Sequence, residues 1–204
     1  MEHQNTEFGR EYARAQINRQ KSAFRQAIKS FYVSRILRHV DSPSIDYGCG
    51  AGQILERLPK GSIGVEINPH LVENLLERGL RVIQANPERN RFNLDGIQKN
   101  EFRTLILSHV LEHFENADKV LRQLLIDCKD IGISKLIVVV PGKVGFSSDA
   151  THKTFVDLDY LEAKGMFDCE GYRVSHYSYF PGNFRFIGDY FIYHELMFIY
   201  RLVR

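Results

Sequence analysis

At 204 residues, 44% hydrophobic and 25% charged, the chain has the size and composition of one soluble globular domain with a core of its own. A net charge of +2 excludes a strongly basic or acidic protein, although eight Lys/Arg stand against three acids in residues 1–40, where the positive balance gathers. Cys49, Cys128 and Cys169 are too far apart for a disulfide framework or a zinc pair, which points to a reducing, cytoplasmic setting; no secretory core and no transmembrane run is expected.

Ala23, Phe24, Ala27, Ile28, Phe31, Tyr32 and Ile36 recur at three- and four-residue steps, which predicts one stripe of an amphipathic helix. We expect a helical extension over residues 1–40 ahead of a single compact domain over 41–204. "SPSID" breaks the helix and opens a strand into a glycine turn, and "QILERL" after it has helical composition. "SIGVEI" (62–67) predicts a strand. "PHLVENLLERG" (69–79) predicts a helix with Pro69 in its first turn and Gly79 at its stop. "LRVIQA" (80–85) and "TLILSHV" (104–110) predict strands, "ADKVLRQLLIDCKDIG" (117–132) a helix, and "KLIVVVP" (135–141) a buried strand closed by proline. Beyond a helical "LDYLEAKGMF" (158–167), "YRVSHYSYF" (172–180) and "YFIYHELMFIYRLV" (190–203) predict two more strands. Apolar strands alternating with helices imply an α/β fold with a mostly parallel sheet.

The chemistry concentrates at the first strand-to-helix turn, Asp46-Tyr47-Gly48-Cys49-Gly50-Ala51-Gly52. A dinucleotide fingerprint requires Gly-x-Gly-x-x-Gly, but Gln53 occupies the third glycine's place, and a carboxylate at Asp46 repels a pyrophosphate. A cationic ligand reverses that argument: S-adenosylmethionine carries a sulfonium and an ammonium, both of which a carboxylate attracts. A purely structural turn would need the same glycines. Glu66 ends the next strand, twenty positions after Asp46, where a carboxylate can accept both ribose hydroxyls. Asn86 after the third strand can pair with an adenine edge, or can simply form a turn before Pro87.

The segments "IDYGCGAGQ", "IGVEINPHLVENL", "GLRVIQAN", "LILSHVLEHFEN" and "LIVVVPG" resemble the class I S-adenosylmethionine-dependent methyltransferases of the small-molecule type, over roughly residues 40–165. The resemblance implies a Rossmann-like, seven-stranded, mostly parallel sheet with an antiparallel last strand and helices on both faces. It implies S-adenosylmethionine as cofactor, held by Asp46, Gly48, Cys49, Gly50, Gly52, Glu66, Ile67, Asn86 and Ser108. Two departures stand out: Asn86 and Arg103 occupy places where members of the family often have Asp.

"HVLEH" (109–113) also spells His-x-x-Glu-His, an inverted metalloprotease signature that needs a helix and a third ligand. "TLILS" before it is strand-like and puts His109 at a strand end, and the methyltransferases supply the same letters after their fourth strand, so no metal is expected. Ser108 and His109 then fall beside the transferable methyl, with His109 a candidate base for a hydroxyl acceptor or a cap for the next helix. His152 resembles the family's loop histidine that faces the substrate. The absence of an Asn/Asp-Pro-Pro-aromatic motif favours oxygen or carbon acceptors, in a small molecule or a glycan or lipid intermediate. Arg25, Lys29 and Arg35 on the basic helix leave an RNA substrate as the alternative, and a non-catalytic relative that keeps the fold is another.

Overall fold

The computed structural model describes residues 9–11, 13–14, 23–86, 94 and 96–203, with backbone alone at 23–29. Its contacts divide into two compact units, Met1–Asp95 and Gly96–Arg204.

The first unit holds helix α1 (Ala23–Leu37), strands β1 (Ser44–Tyr47), β2 (Ile63–Glu66) and β3 (Val82–Gln84), and helix α2 (Pro69–Glu77). The three strands run parallel in the order β3-β2-β1, with Asp46 opposite Gly64 and Glu66 opposite Gln84. Parallel strands need both faces covered, and every residue of β1 and β2 is buried. Among the described side chains of α1 the buried ones are Val33 and Ile36, whereas Phe31 is exposed. The stripe read from spacing is therefore rotated, and its members at 23–28 lie outside the described side chains.

α2 begins as expected. Asn68 caps it, its side-chain oxygen accepting from the N–H groups of His70 and Leu71, and Pro69 sits at the first turn, where its missing N–H costs nothing. Leu71, Val72 and Leu75 form the buried face. "QILERL" forms only a 3-10 turn at Leu55–Arg57. The residue before a proline is pushed out of helical geometry, and Leu58, ahead of Pro59, is extended.

Gly64 in β2 is small for a packing reason. A Cβ there would lie 2.7 Å from both Cys49 Sγ and Leu55 Cδ2. Gly64→Ala is expected to cost about 1–3 kcal/mol through overpacking, measured by urea denaturation. A Cys49→Ala background should recover part of the loss, and a neutral single variant would contradict this packing.

The second unit contains β4 (Thr104–Ser108), α3 (Ala117–Ile131), β5 (Lys135–Pro141), two short helices, α4 (Lys143–Ser147) and α5 (Leu158–Ala163), and strands β6 (Asp168–Cys169), β7 (Tyr172–Phe180) and β8 (Glu195–Leu202). Its strand order is β4-β5-β8-β7-β6. β4 and β5 are parallel, and the pairings from β5 outward are antiparallel, with a bulge between Val174 and His176. The antiparallel last strand is present, but the described residues hold eight strands rather than seven, because Asp168–Cys169 adds a short edge strand to β7. All seven residues of β5 are buried, and each of its branched side chains contributes about 1.5–3 kcal/mol of burial. α3 ends at Gly132, whose φ of 85° gives a left-handed cap. β8 begins five residues later than the aromatic run predicts. Phe184, Phe186, Tyr190 and Ile192 ahead of it are exposed on a segment containing a 3-10 turn at Arg185–Asp189.

Candidate active site

Gly48, Gly50 and Gly52 all have positive φ, at 70°, 54° and 83°, a backbone that a side chain would strain. The N–H groups of Gly48 and Cys49 both donate to the carbonyl of Val65, at 2.8 and 3.2 Å, which ties the turn to the end of β2. At Gly52 a Cβ would lie 2.5 Å from Leu75 Cδ2, so glycine also lets the turn approach α2. Ala13 from the N-terminal segment packs with Ala51 and Leu71, and Asn68 Nδ2 donates to Gly9 O at 3.4 Å.

Asp46 is 1% exposed. Burial, reinforced by the nearby Glu66 carboxylate and only partly relieved by a hydrogen bond from the Leu55 backbone, pushes its pKa up to about 7. Its Oδ2 is buried with no hydrogen-bond partner among the described residues. A carboxylate in this state gains from a cation or a donor more than a solvated one does. Cys49 beside it is buried, and burial with the two acids pushes its thiol well above the usual range. It serves as packing, not as a nucleophile.

Glu66 is pinned by three backbone donors. Gly50 N–H donates to Oε2 at 2.8 Å, and the N–H groups of Ile67 and Asn68 donate to Oε1, each at 2.9 Å. Burial raises its pKa while these bonds oppose the rise. The carboxylate therefore fixes the turn as well as ending β2, a second role that position alone does not reveal. Asn86 follows β3 and is exposed, and the preceding residue, Ala85, donates its N–H to Glu66 O at 2.8 Å.

In the second unit, Ser108 ends β4 half-buried. His109 continues the ladder by one bond, N–H to Val139 O at 3.0 Å, then turns the chain with φ 55°. Residues Leu111–His113 form a 3-10 turn, so the helical histidine pair of a metalloprotease motif does not form. Instead the His109 ring lies between two carboxylates, Nδ1 at 3.2 Å from Glu112 Oε1 and Nε2 at 3.0 Å from Glu195 Oε1. Burial works against its charge, but Glu195 and Glu112 together hold its pKa up to about 10. Glu195 is missed by motif reading; an acid heading the otherwise apolar "ELMFIY" was the available signal.

The segment 149–154 is latched onto this turn. Lys153 N–H and Thr154 N–H donate to Glu112 O at 2.8 and 3.1 Å, and the Thr154 hydroxyl donates to Phe114 O at 2.6 Å. The latch puts His152 against the turn, its ring 4.8 Å from that of His113 and stacked on Phe146 at 5.4 Å. The second unit thus brings His109, Glu112, His113 and His152 together, with Glu195 behind His109.

Among solved structures, a SAM-dependent methyltransferase from Archaeoglobus fulgidus superposes with a TM-score of 0.61 at 19% identity, covering 87% of this chain and 97% of that one. The magnesium protoporphyrin IX methyltransferase of Synechocystis PCC 6803, solved with bound SAH, gives 0.54 at 14% identity over 86% of this chain and 82% of that one. The [4+2]-cyclase SpnF gives 0.59 at 13% identity over 90% and 84%. No curated protein matches. The fold is that of the class I S-adenosylmethionine-dependent methyltransferases. A family model described as "Methionine biosynthesis protein MetW" matches residues 30–146, more than half of the sequence: the chain belongs to the MetW family.

Proposed function

We propose that the protein binds S-adenosylmethionine at the Asp46–Gly52 turn and transfers its methyl group to a small-molecule, glycan or lipid-intermediate acceptor. The observation that carries the reading is the buried Oδ2 of Asp46, without a hydrogen-bond partner among the described residues, one strand away from a backbone-pinned Glu66. One acid suits the cationic amino-acid end and the other the ribose. The chemistry supplied by S-adenosylmethionine is a methyl on a sulfonium, which leaves by in-line displacement. The protein's own share is positional. The positive-φ glycines let backbone approach a ligand, Asp46 attracts the cation, and the remaining lone pairs of Glu66 accept hydrogen bonds from hydroxyls.

His109 enters this reading as a donor rather than a base. Both ring nitrogens are engaged by carboxylates, so neither offers a lone pair to an acceptor's proton. That favours acceptors that lose their proton elsewhere or need not lose one. Calorimetry should detect one S-adenosylmethionine per chain with a dissociation constant in the micromolar range, and failure to bind either S-adenosylmethionine or its demethylated product would end the proposal. Binding without transfer of labelled methyl to any member of a broad acceptor panel would instead support a relative that uses the fold for other chemistry, as the cyclase neighbour's name illustrates. The RNA alternative requires that neutralising Arg25, Lys29 and Arg35 abolish RNA affinity.

A further inference from the structure

At "HVLEH" the sequence predicts no metal, because "TLILS" puts His109 at a strand end and the methyltransferases supply the same letters after their fourth strand. The structure pairs a different set. Glu112, His113 and His152 each present a ligand atom, and these atoms lie within 4.8 Å of one another. Glu112 Oε1 is 3.9 Å from His152 Nε2, too long for a hydrogen bond. Two ligand atoms sharing one ion at about 2.1 Å each stand roughly 3–3.5 Å apart, so the pair at 3.9 Å needs about half an ångström of inward movement and a pair at the 4.8 Å bound needs about 1.5 Å.

The hydrogen bonds behind the rings set their tautomers. His152 Nδ1 lies 2.9 Å from the carbonyl of Phe146, and a carbonyl only accepts, so Nδ1 carries the proton and Nε2 keeps its lone pair. The Thr151 hydroxyl donates to Asp149 Oδ1 at 2.7 Å. Its oxygen is then the acceptor for His113 Nδ1 at 3.1 Å, which again leaves Nε2 of His113 with its lone pair. An outer carbonyl or carboxylate relay that fixes a neutral imidazole by its far nitrogen is the usual support of a metal-ligating histidine. The third member is fully buried: Glu112 has 0% exposure, its Oε1 faces His109 Nδ1 at 3.2 Å, and its Oε2 has no hydrogen-bond partner among the described residues. A buried carboxylate oxygen is costly in that state unless a cation or donor meets it.

We infer that Glu112, His113 and His152 form a binding site for one divalent transition-metal ion, a two-histidine, one-carboxylate set with open positions for further ligands. Two imidazoles favour zinc, iron, cobalt or nickel over magnesium, calcium or manganese, whose preferred ligands are oxygens. The site lies within the second unit, and its existence is independent of the methyltransferase reading.

The test uses the full chain stripped by chelator and dialysed, titrated calorimetrically with zinc alone and with nickel alone. One ion per chain is expected to bind at micromolar affinity or tighter, with a concentration-dependent rise in melting temperature. His113→Ala and His152→Ala should each weaken binding at least tenfold, and Thr151→Ala, which removes only the outer relay, several-fold. Cobalt substitution should give a spectrum without thiolate charge-transfer bands. Absence of saturable binding, or affinity unchanged in the folded double variant His113→Ala/His152→Ala, overturns the site. A thiolate spectrum would do the same, because it would assign the ion to the cysteines. Glu112→Gln is a secondary variant; if it unfolds, the histidine and threonine variants still decide the question.

Discussion

Asp46→Asn is expected to weaken S-adenosylmethionine binding at least 30-fold and to remove a pH dependence that the native protein shows. The native carboxylate has a pKa of about 7, so it is mostly neutral at pH 5.5 and about half ionised at pH 7. A cationic ligand binds the ionised form. Affinity should therefore tighten roughly tenfold across that interval, in which the ligand's ammonium stays protonated. The titratable groups facing Asp46 are Glu66 and Cys49. Glu66 is itself raised by burial, so its ionisation acts in the same direction, and the Cys49 thiol stays neutral throughout. Calorimetry at pH 5.5, 6.2 and 7 checks the slope. A flat native profile, or equal affinity in the variant, would remove Asp46 from the cofactor site.

The same substitution should act with the opposite sign on stability. Asp46 has a folded pKa raised from 3.8 to about 7. Its contribution is thus fully present below pH 3.8 and is lost as pH rises through 7, when a buried charge must form. That rise corresponds to about 4 kcal/mol at most. After the cost of an imperfectly bonded amide, Asp46→Asn should gain about 1–2 kcal/mol at pH 8 and nothing at pH 4, measured by thermal melts without ligand. A site that stores instability in order to meet a cation would behave in this way.

Legibility from sequence followed burial. "KLIVVVP" coincides with β5 because all seven residues are buried, and an unbroken apolar run has few other places to go. "YFIYHELMFIYRLV" misled because hydrophobic type cannot say whether aromatics line a core or stand in solvent. Tyr190 and Ile192 in its first part are exposed, and only Glu195–Leu202 pairs as β8. "QILERL" carried helix formers, but Pro59 allowed no room for a helix. The glycine turn was legible because positive φ needs glycine and a buried acid needs a reason. The surroundings of His109 were not, since Glu195 lies 86 positions away and a single sequence shows no pairing at that distance. The convergence of His113 with His152 depends likewise on a latch of backbone hydrogen bonds to Glu112 O, and such bonds leave no mark on residue type.

The two acids of the turn should respond to amide substitution in opposite ways. Asp46 lacks a partner for one oxygen, whereas Glu66 accepts from Gly50, Ile67 and Asn68. In Glu66→Gln, one oxygen becomes an NH2 group that faces a backbone N–H, so at least one bond to a charged acceptor is lost and two donors confront each other. Bonds to charged groups are worth about 1.5–3 kcal/mol. Burial of the carboxylate, which already raises its pKa, offsets part of that loss. We expect a net destabilisation of about 1–3 kcal/mol in urea denaturation, because the tether on Gly50 releases the turn. Cofactor affinity should fall by at least tenfold in the same variant. At Asp46, then, stability rises as binding falls; at Glu66 the two fall together. Were Glu66→Gln to bind normally at full stability, the tether between the acid and the turn would have no energetic role. Were it to lose stability alone, Glu66 would be a purely structural strand end, and the ribose would need another partner.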